Sequence, residues 1–543
     1  MTVMAAFDSF ARENLPPRDQ WPDLLLGSLN YPDQLNCVIP LLHDHVTAGS
    51  GARPCVRSLS ETWSYADLLG RVNRIANVLV HQVGIIPGNR VLLRAPNTPM
   101  MVAAYLAVIS AGGIAVGTMP LLRSRELATI IDKARINLAL CDHRLLDELH
   151  AAQKSRGSCR VIAWGANAPD DLLAMMASES DDFVPYPTRA DDVCLIAFTS
   201  GTTGEPKGTM HFHRDVLATC DTYGAHVLRA QPDDVFISSP PIAFTFGLGA
   251  AVLFPLRLGA STIALEQTAP EQFLQAIRTL RPTVCFTAPT AYRAMLVKIQ
   301  PSDVASLRIC VSAGETLPKA TWDAWFGATG LRILDGIGST EMLHIFLGAP
   351  LEKVRPGATG IPVPGYEAKL IDDEGNDLPR GSTGRLAVRG PTGCRYLADA
   401  RQAQYVQNGW NVTGDTFHQD DDGYFWFQGR SDDMIVSSGY NISGPEVEAA
   451  LLTHPAVAEC GVVAAPNADR GMVVKAYIVL RDPASVGPDM VRILQDHVKA
   501  EIAPYKYPRA IEFVSALPRT GTGKLQRFVL RQQAAGAVIT EEP

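Results

Sequence analysis

No two cysteines of this chain stand at CxxC spacing, so the sequence offers neither a zinc ribbon nor a dithiol redox motif. The ten cysteines, at positions 37, 55, 141, 159, 194, 220, 285, 310, 394 and 460, are scattered and are expected to be reduced, mostly buried thiols. A basic excess is also missing. Lys and Arg number 48 against 56 Asp and Glu, a net charge of −8, which excludes a uniformly basic nucleic-acid-binding surface. A polyanionic ligand must therefore be held by local donors. There is no internal repeat and no low-complexity tract. With 47% hydrophobic and 19% charged residues, long disorder is not expected. The N-terminus, MTVMAAFDSFARENLPP, has no apolar core behind a basic cluster, as a secretory leader would.

An uninterrupted apolar span is absent too, although one stretch imitates it. Residues 100–119, MMVAAYLAVISAGGIAVGTM, carry no charge over about the length a bilayer needs. Gly112 and Gly113 divide them into a helix-like front and a β-branched back. A buried helix, a tight turn and a core strand are expected, in a soluble, cytoplasmic protein.

What is present is a regular alternation. Across residues 60–345, short apolar runs (VLLRA, GIAVGT, LALCD, CLIAFTS, VFISSP, STIAL, TVCFTA, LRICVSA) read as buried strands. YADLLGRVNRIANVLVHQV and EQFLQAIRTL, with apolar spacings of three and four, read as helices. That pattern predicts doubly wound parallel sheets with covering helices, an α/β fold. Residues 360–428 turn at Gly and Asp between short runs, which predicts a small antiparallel, barrel-like subdomain. After residue 429 the pattern becomes a small α+β unit of about 110 residues. The expected division is 1–429 for a large N-terminal domain and 430–543 for a small mobile one.

The strongest chemical signal is residues 199–208, TSGTTGEPKG, directly after the apolar run CLIAF. Alternating glycines and hydroxyls let backbone N–H groups approach a phosphate chain, and Lys207 adds a point charge. A Walker loop is excluded, since no GK[ST] is present. Further along come residues 335–341, DGIGSTE; residues 413–415, TGD; residues 429–435, GRSDDMI; and residues 518–524, PRTGTGK.

In this order and spacing the motifs resemble the superfamily of acyl-CoA synthetases, luciferases and peptide-synthetase adenylation domains, over roughly residues 60–530. The resemblance implies ATP as substrate, with the nucleotide held by Thr199, Ser200, Gly201, Thr202, Thr203, Gly204 and Lys207. It adds Gly314, Glu315, Asp335, Gly336, Ile337, Asp415 and Arg430 to that set. It gives Thr340 the AMP phosphate, Glu341 the Mg2+ ion, and Lys524 the reacting carboxylate and α-phosphate. Asp432 falls at the hinge position. No general base is required, because a carboxylate nucleophile is already ionised at neutral pH.

The continuation MLHIF after Glu341 closely resembles benzoate-CoA ligases. In that branch Gly338, His344 and Ile345 line a small aryl pocket, faced by Phe244, Thr245 and Phe246. On residue type alone, His344 reads more readily as a core histidine; the resemblance reverses that preference. ENLPPRDQWPDLLL near the N-terminus resembles the 2-aminobenzoate-CoA ligases. His211 and His213, two residues apart, are expected to be structural, with no zinc site. Coenzyme A is the expected acceptor, because Gly439 matches the position where a pantetheine arm passes. A plain turn glycine is the other reading. Lys475, Lys506 and Arg509 are candidate contacts for the CoA phosphates. Transfer to a carrier-protein phosphopantetheine arm is the alternative, and a non-catalytic binder on the same fold a further rival. A homodimer is the candidate assembly.

Overall fold

The alternation of apolar runs and amphipathic helices resolves into two large sheets. A computed structural model describes residues 7–27, 29–155, 159–166, 168–199, 206–430, 433–437, 440–467, 471–502, 504–519 and 524–536. One sheet has six strands in the spatial order Arg160–Trp164, Leu138–Asp142, Arg90–Arg94, Ile114–Thr118, Val193–Phe198 and Gly208–Phe212. Its neighbours run parallel until the last pair, which is antiparallel. The second sheet has nine strands, with a parallel centre built from Val235–Ser238, Val284–Thr287, Ile309–Ser312 and Ile333–Gly338. Each expected strand of residues 60–345 lies in one of these two sheets. Central strands buried on both faces explain why they read as continuous apolar runs without alternation.

Helices cover the faces. Tyr65–Asn77 starts on a capping box, Ser64 accepting from the Asp67 N–H while the Asp67 carboxylate accepts from Ser64. The membrane-like stretch divides as its glycines require. Pro99–Ser110 is a helix buried on nearly every side, and Ile114–Thr118 is a central strand. Between them Gly112 has φ +77°, and a Cβ there would stand 2.9 Å from the Tyr186 ring. Only glycine meets both demands. Among the described residues, no helix is long and apolar enough to cross a membrane.

Glu367–Ile371, Thr383–Arg389, Val406–Gln407, Trp410–Gln419 and Phe425–Arg430 form the small antiparallel sheet. Beyond it, Val457–Asn467, Gly471–Leu480 and Ala510–Phe513 make a three-stranded sheet, packed by the helices Gly444–Leu452, Pro488–Glu501 and Arg527–Ala535. Ile435, Val447, Leu451, Val462, Val474, Ile478 and Leu494 fill a core of their own there. All ten cysteines are buried and unpaired.

Candidate active site

The two large sheets and the C-terminal unit bring charged groups to one cleft. The phosphate-type loop leaves the strand Val193–Phe198 at Thr199 and returns through Lys207 into Gly208–Phe212, with Phe198 opposite Gly208. The Thr199 N–H donates to the Lys207 carbonyl (2.9 Å) and closes the loop's base. Ser200, Gly201, Thr202, Thr203 and Gly204 lie outside the described residues, as do Asp432 and Gly439.

The Lys207 ammonium donates to the Tyr396 hydroxyl at 3.3 Å and sits 4.9 Å from that ring's centroid. The same hydroxyl donates to Glu341 Oε1 at 2.6 Å. Burial and the adjacent Glu341 carboxylate push the phenol's pKa far up, so it stays a donor. The Thr340 carbonyl accepts from His211 Nε2 at 2.9 Å. A carbonyl cannot donate, so Nε2 carries the proton, and burial holds the His211 pKa down at about 3 with the ring neutral.

Between Glu341 and the strand Ile345–Gly348 the chain turns sharply. Leu343 takes φ +68°, a region that costs a branched residue roughly 1–3 kcal/mol. Gly338 permits the return, since a Cβ there would stand 2.5 Å from the His344 carbonyl oxygen. The turn drives His344 into an aromatic box. Its ring centroid lies 4.6 Å from Phe254, 5.4 Å from Tyr223, 5.6 Å from Phe246 and 6.4 Å from Phe286. Burial depresses the His344 pKa to about 3, opposed only by the Phe246 backbone, and neither ring nitrogen has a well-formed hydrogen bond. A Cβ on Gly249 would overlap the His344 ring. Ile345 is buried behind Gly336, Thr245 is buried, and Phe244, Phe246 and Ile337 are half-buried at the cleft.

At the other side of the cleft, Asp415 and Arg430 face each other across neighbouring strands, 3.4 Å apart. Lys524 reaches the same space, its Cε 3.8 Å from where a Cβ on Gly314 would stand. Solvent touches Lys524, yet the surrounding protein lowers its pKa. Glu315 and Asp415 oppose that shift and Arg430 adds to it. Burial raises the Glu315 carboxyl, with Arg519 (3.8 Å) the main opposing charge. Asp335 is likewise held well above the usual carboxylate range by burial.

Other sequence-marked groups are committed elsewhere. Lys475 pairs with Glu512 (2.8 Å) and Lys506 with Glu446 (2.6 Å). Cys37, Cys194 and His213 hold metal-type donors within 4.8 Å of one another. His213 Nδ1 already accepts the Cys37 N–H at 3.2 Å, so its lone pair is spent, and zinc takes four ligands.

The structure thus gathers Lys207 and Glu341 about Tyr396, and Asp415, Arg430 and Glu315 about Lys524, while Phe246 packs against His344. Sequence reasoning missed Tyr396, Tyr223, Phe254, Phe286 and the Thr340 grip of His211. The two histidines of MHFH were the only signal for that grip, and nothing in GCRYLADA marks Tyr396.

Two family models match the chain: AMP-binding enzyme over residues 43–396, and AMP-binding enzyme C-terminal domain over residues 446–524. The benzoate–CoA ligase of Thauera aromatica is 35% identical over 512 residues, covering 93% of this chain and 97% of that protein. A 4-hydroxybenzoate–CoA/benzoate–CoA ligase of Rhodopseudomonas palustris is 32% identical, with 93% and 96% covered. Among solved structures, the anthranilate CoA ligase AuaEII in complex with anthranoyl-AMP superposes with a TM-score of 0.89 at 33% identity. It covers 94% of this chain and 99% of its own. A benzoate CoA ligase from Burkholderia xenovorans LB400 gives 0.84 at 32% identity, with 92% and 100% covered. With well over half the chain matched by one family model and these relatives spanning nearly all of it, the chain belongs to the AMP-binding enzyme family and is an acid–thiol ligase.

Proposed function

We propose that this enzyme is an ATP-dependent aryl-CoA ligase acting on 2-aminobenzoate or benzoate-type acids in the cytoplasm. The observation that carries the reading is the aromatic box of Tyr223, Phe246, Phe254, Phe286 and His344 beside the charged cleft. Flat, apolar walls suit an aromatic ring, and the cleft's cations suit its carboxylate and the nucleotide phosphates. Relatives named for benzoate, 4-hydroxybenzoate and anthranilate support the same class.

In the first half-reaction a carboxylate oxygen bonds to the α-phosphorus of ATP and pyrophosphate leaves. In the second, the CoA thiol gives up its proton to solvent, its sulfur bonds to the acyl carbon, and AMP leaves with the bridging oxygen. Both carboxylate and phosphate are anionic, so rate enhancement comes from alignment and from cations placed where charge gathers. Lys524 is assigned to the carboxylate and α-phosphate, Thr340 to the phosphate, and Asp415 with Arg430 to the ribose. The Glu341 carboxylate fits a magnesium site, because Tyr396 engages only Oε1 and a hard cation takes oxygen ligands. When bound, Mg2+ would supply charge neutralisation at the phosphates. The separate core of residues 435–494 supports a division near residue 429 and rotation about Asp432, which would carry Gly439 to the thiol's path.

A panel of aryl and aliphatic acids assayed for AMP formation with and without CoA tests the reading. Decanoate is expected to give a specificity constant at least about tenfold below that of 2-aminobenzoate or benzoate, since modest overpacking alone costs roughly 1–3 kcal/mol. Equal constants would remove the aryl assignment. Asp415→Ala is expected to raise KM for ATP while leaving aryl-acid binding nearly intact, because it removes the assigned ribose contact and the partner of Arg430 but no group assigned to the acid. A calorimetric titration of each ligand separates the two, and an unaltered ATP affinity would refute the ribose role.

A further inference from the structure

We propose that Tyr396 is a positioning residue that sets Glu341 and Lys207 in register before ATP arrives. The inference rests on the ligase reading above and names the group that prepares its phosphate end. Glu341 and Lys207 come from separate places in the chain, one on the turn between the strands Ile333–Gly338 and Ile345–Gly348 of the nine-stranded sheet and one at the edge of the six-stranded sheet. Opposite charges so close would otherwise draw together into a direct ion pair, which an incoming triphosphate would have to break. The phenol stands between them, donating to Glu341 Oε1 at 2.6 Å and accepting from Lys207 Nζ at 3.3 Å.

The hydroxyl holds that position because the rest of Tyr396 is fixed. Its N–H donates to Gln402 Oε1 at 2.9 Å, and its ring meets Tyr405 edge-on at 5.8 Å. An antiparallel bridge pairs it with Thr209, and the Leu397 N–H donates to the Gly208 carbonyl at 2.8 Å. Its register is therefore tied to the strand that begins one residue after Lys207. With one carboxylate oxygen taken by the phenol, Glu341 presents the other in a set orientation. Groups that orient a metal-binding carboxylate in this way typically change metal affinity or activity by about 10–100-fold when removed.

Tyr396→Phe keeps the ring on Tyr405 and under the Lys207 ammonium and removes only the hydroxyl. The experiment measures pyrophosphate–ATP exchange with benzoate or 2-aminobenzoate across a Mg2+ titration, and Mg-ATP binding by calorimetry without acid. The expected result is an Mg2+ half-saturation shifted upward by about tenfold or more. Weaker Mg-ATP binding, an unaltered KM for the acid and an unaltered thermal midpoint are expected with it. Half-saturation equal to that of the wild type overturns the proposal. So does a lowered thermal midpoint with the same loss at every Mg2+ level, which marks a merely structural role. If the wild type exchanges pyrophosphate with no aryl acid, the substrate reading fails instead, and the calorimetric comparison still decides the role of Tyr396.

Discussion

Lys524→Ala is expected to slow adenylate formation by about 10²–10³-fold, the loss typical of removing one strong donor to developing charge. The side chain stands beside Gly314 in the same space as Glu315 and Asp415. It enters from the C-terminal unit, which itself meets the larger part of the chain through Arg519 and Glu315 at 3.8 Å. Because that unit is proposed to rotate, the effect should be confined to one step. Conversion of a supplied aryl-adenylate and CoA to thioester is expected to survive nearly intact. The pH profile gives a second readout. Protein surroundings lower the Lys524 pKa from its ordinary 10.5, so its charged form disappears earlier as pH rises. The alkaline limb of kcat/KM for adenylation should therefore fall below that value in the wild type, since this constant reports the free enzyme, and vanish in the variant. Each half-reaction assayed alone decides the matter. Equal loss of both steps would favour a single rigid site.

The residues proposed for the nucleotide stand out in the sequence where they fall in local runs. Residues 199–208, DGIGSTE and PRTGTGK each hold several polar or charged groups within a few positions, as a proposed phosphate-cradling segment would need. The parallel sheets were equally legible, since strands buried on both faces leave unbroken apolar runs such as LALCD. Contacts made across the fold were not. Tyr396 touches Glu341 from 55 residues away, and His211 reaches Thr340 over 129. A lone tyrosine after an arginine has no spacing to betray that role. The aromatic box is similar: Tyr223, Phe254 and Phe286 come from three separate elements, and only the turn at Leu343 drops His344 among them.

Arg395→Met is expected to cost about 3–5 kcal/mol of stability, the penalty for leaving one charge of a buried pair without its partner. Arg395 and Asp215 are both 0% exposed, and the guanidinium donates to the carboxylate at 2.7 Å. Burial pushes the Asp215 carboxyl up from 3.8, with Arg395 the largest opposing influence. Removing the guanidinium raises it further, and the sign of the pH effect follows. A carboxyl with a raised folded pKa is stabilising below its unfolded value and loses that contribution as pH rises through the folded value. The deficit of Arg395→Met should therefore be largest at neutral pH and shrink as pH falls toward about 4. Asp215 also accepts the Phe212 N–H at 2.9 Å at the start of the helix His213–Thr219. The double variant Arg395→Met, Asp215→Leu should consequently recover most of the loss but fall short by about 1 kcal/mol for the missing cap. Urea midpoints of both variants at two pH values test this. A single variant as stable as the wild type, or a double variant no better than the single, would mean that the pair does not govern this core. Because Arg395 directly precedes Tyr396 and Asp215 lies 4.0 Å from His211, the double variant isolates a second effect. It should fold and still form adenylate slowly, since the groups that hold Glu341 and Thr340 have lost their common support.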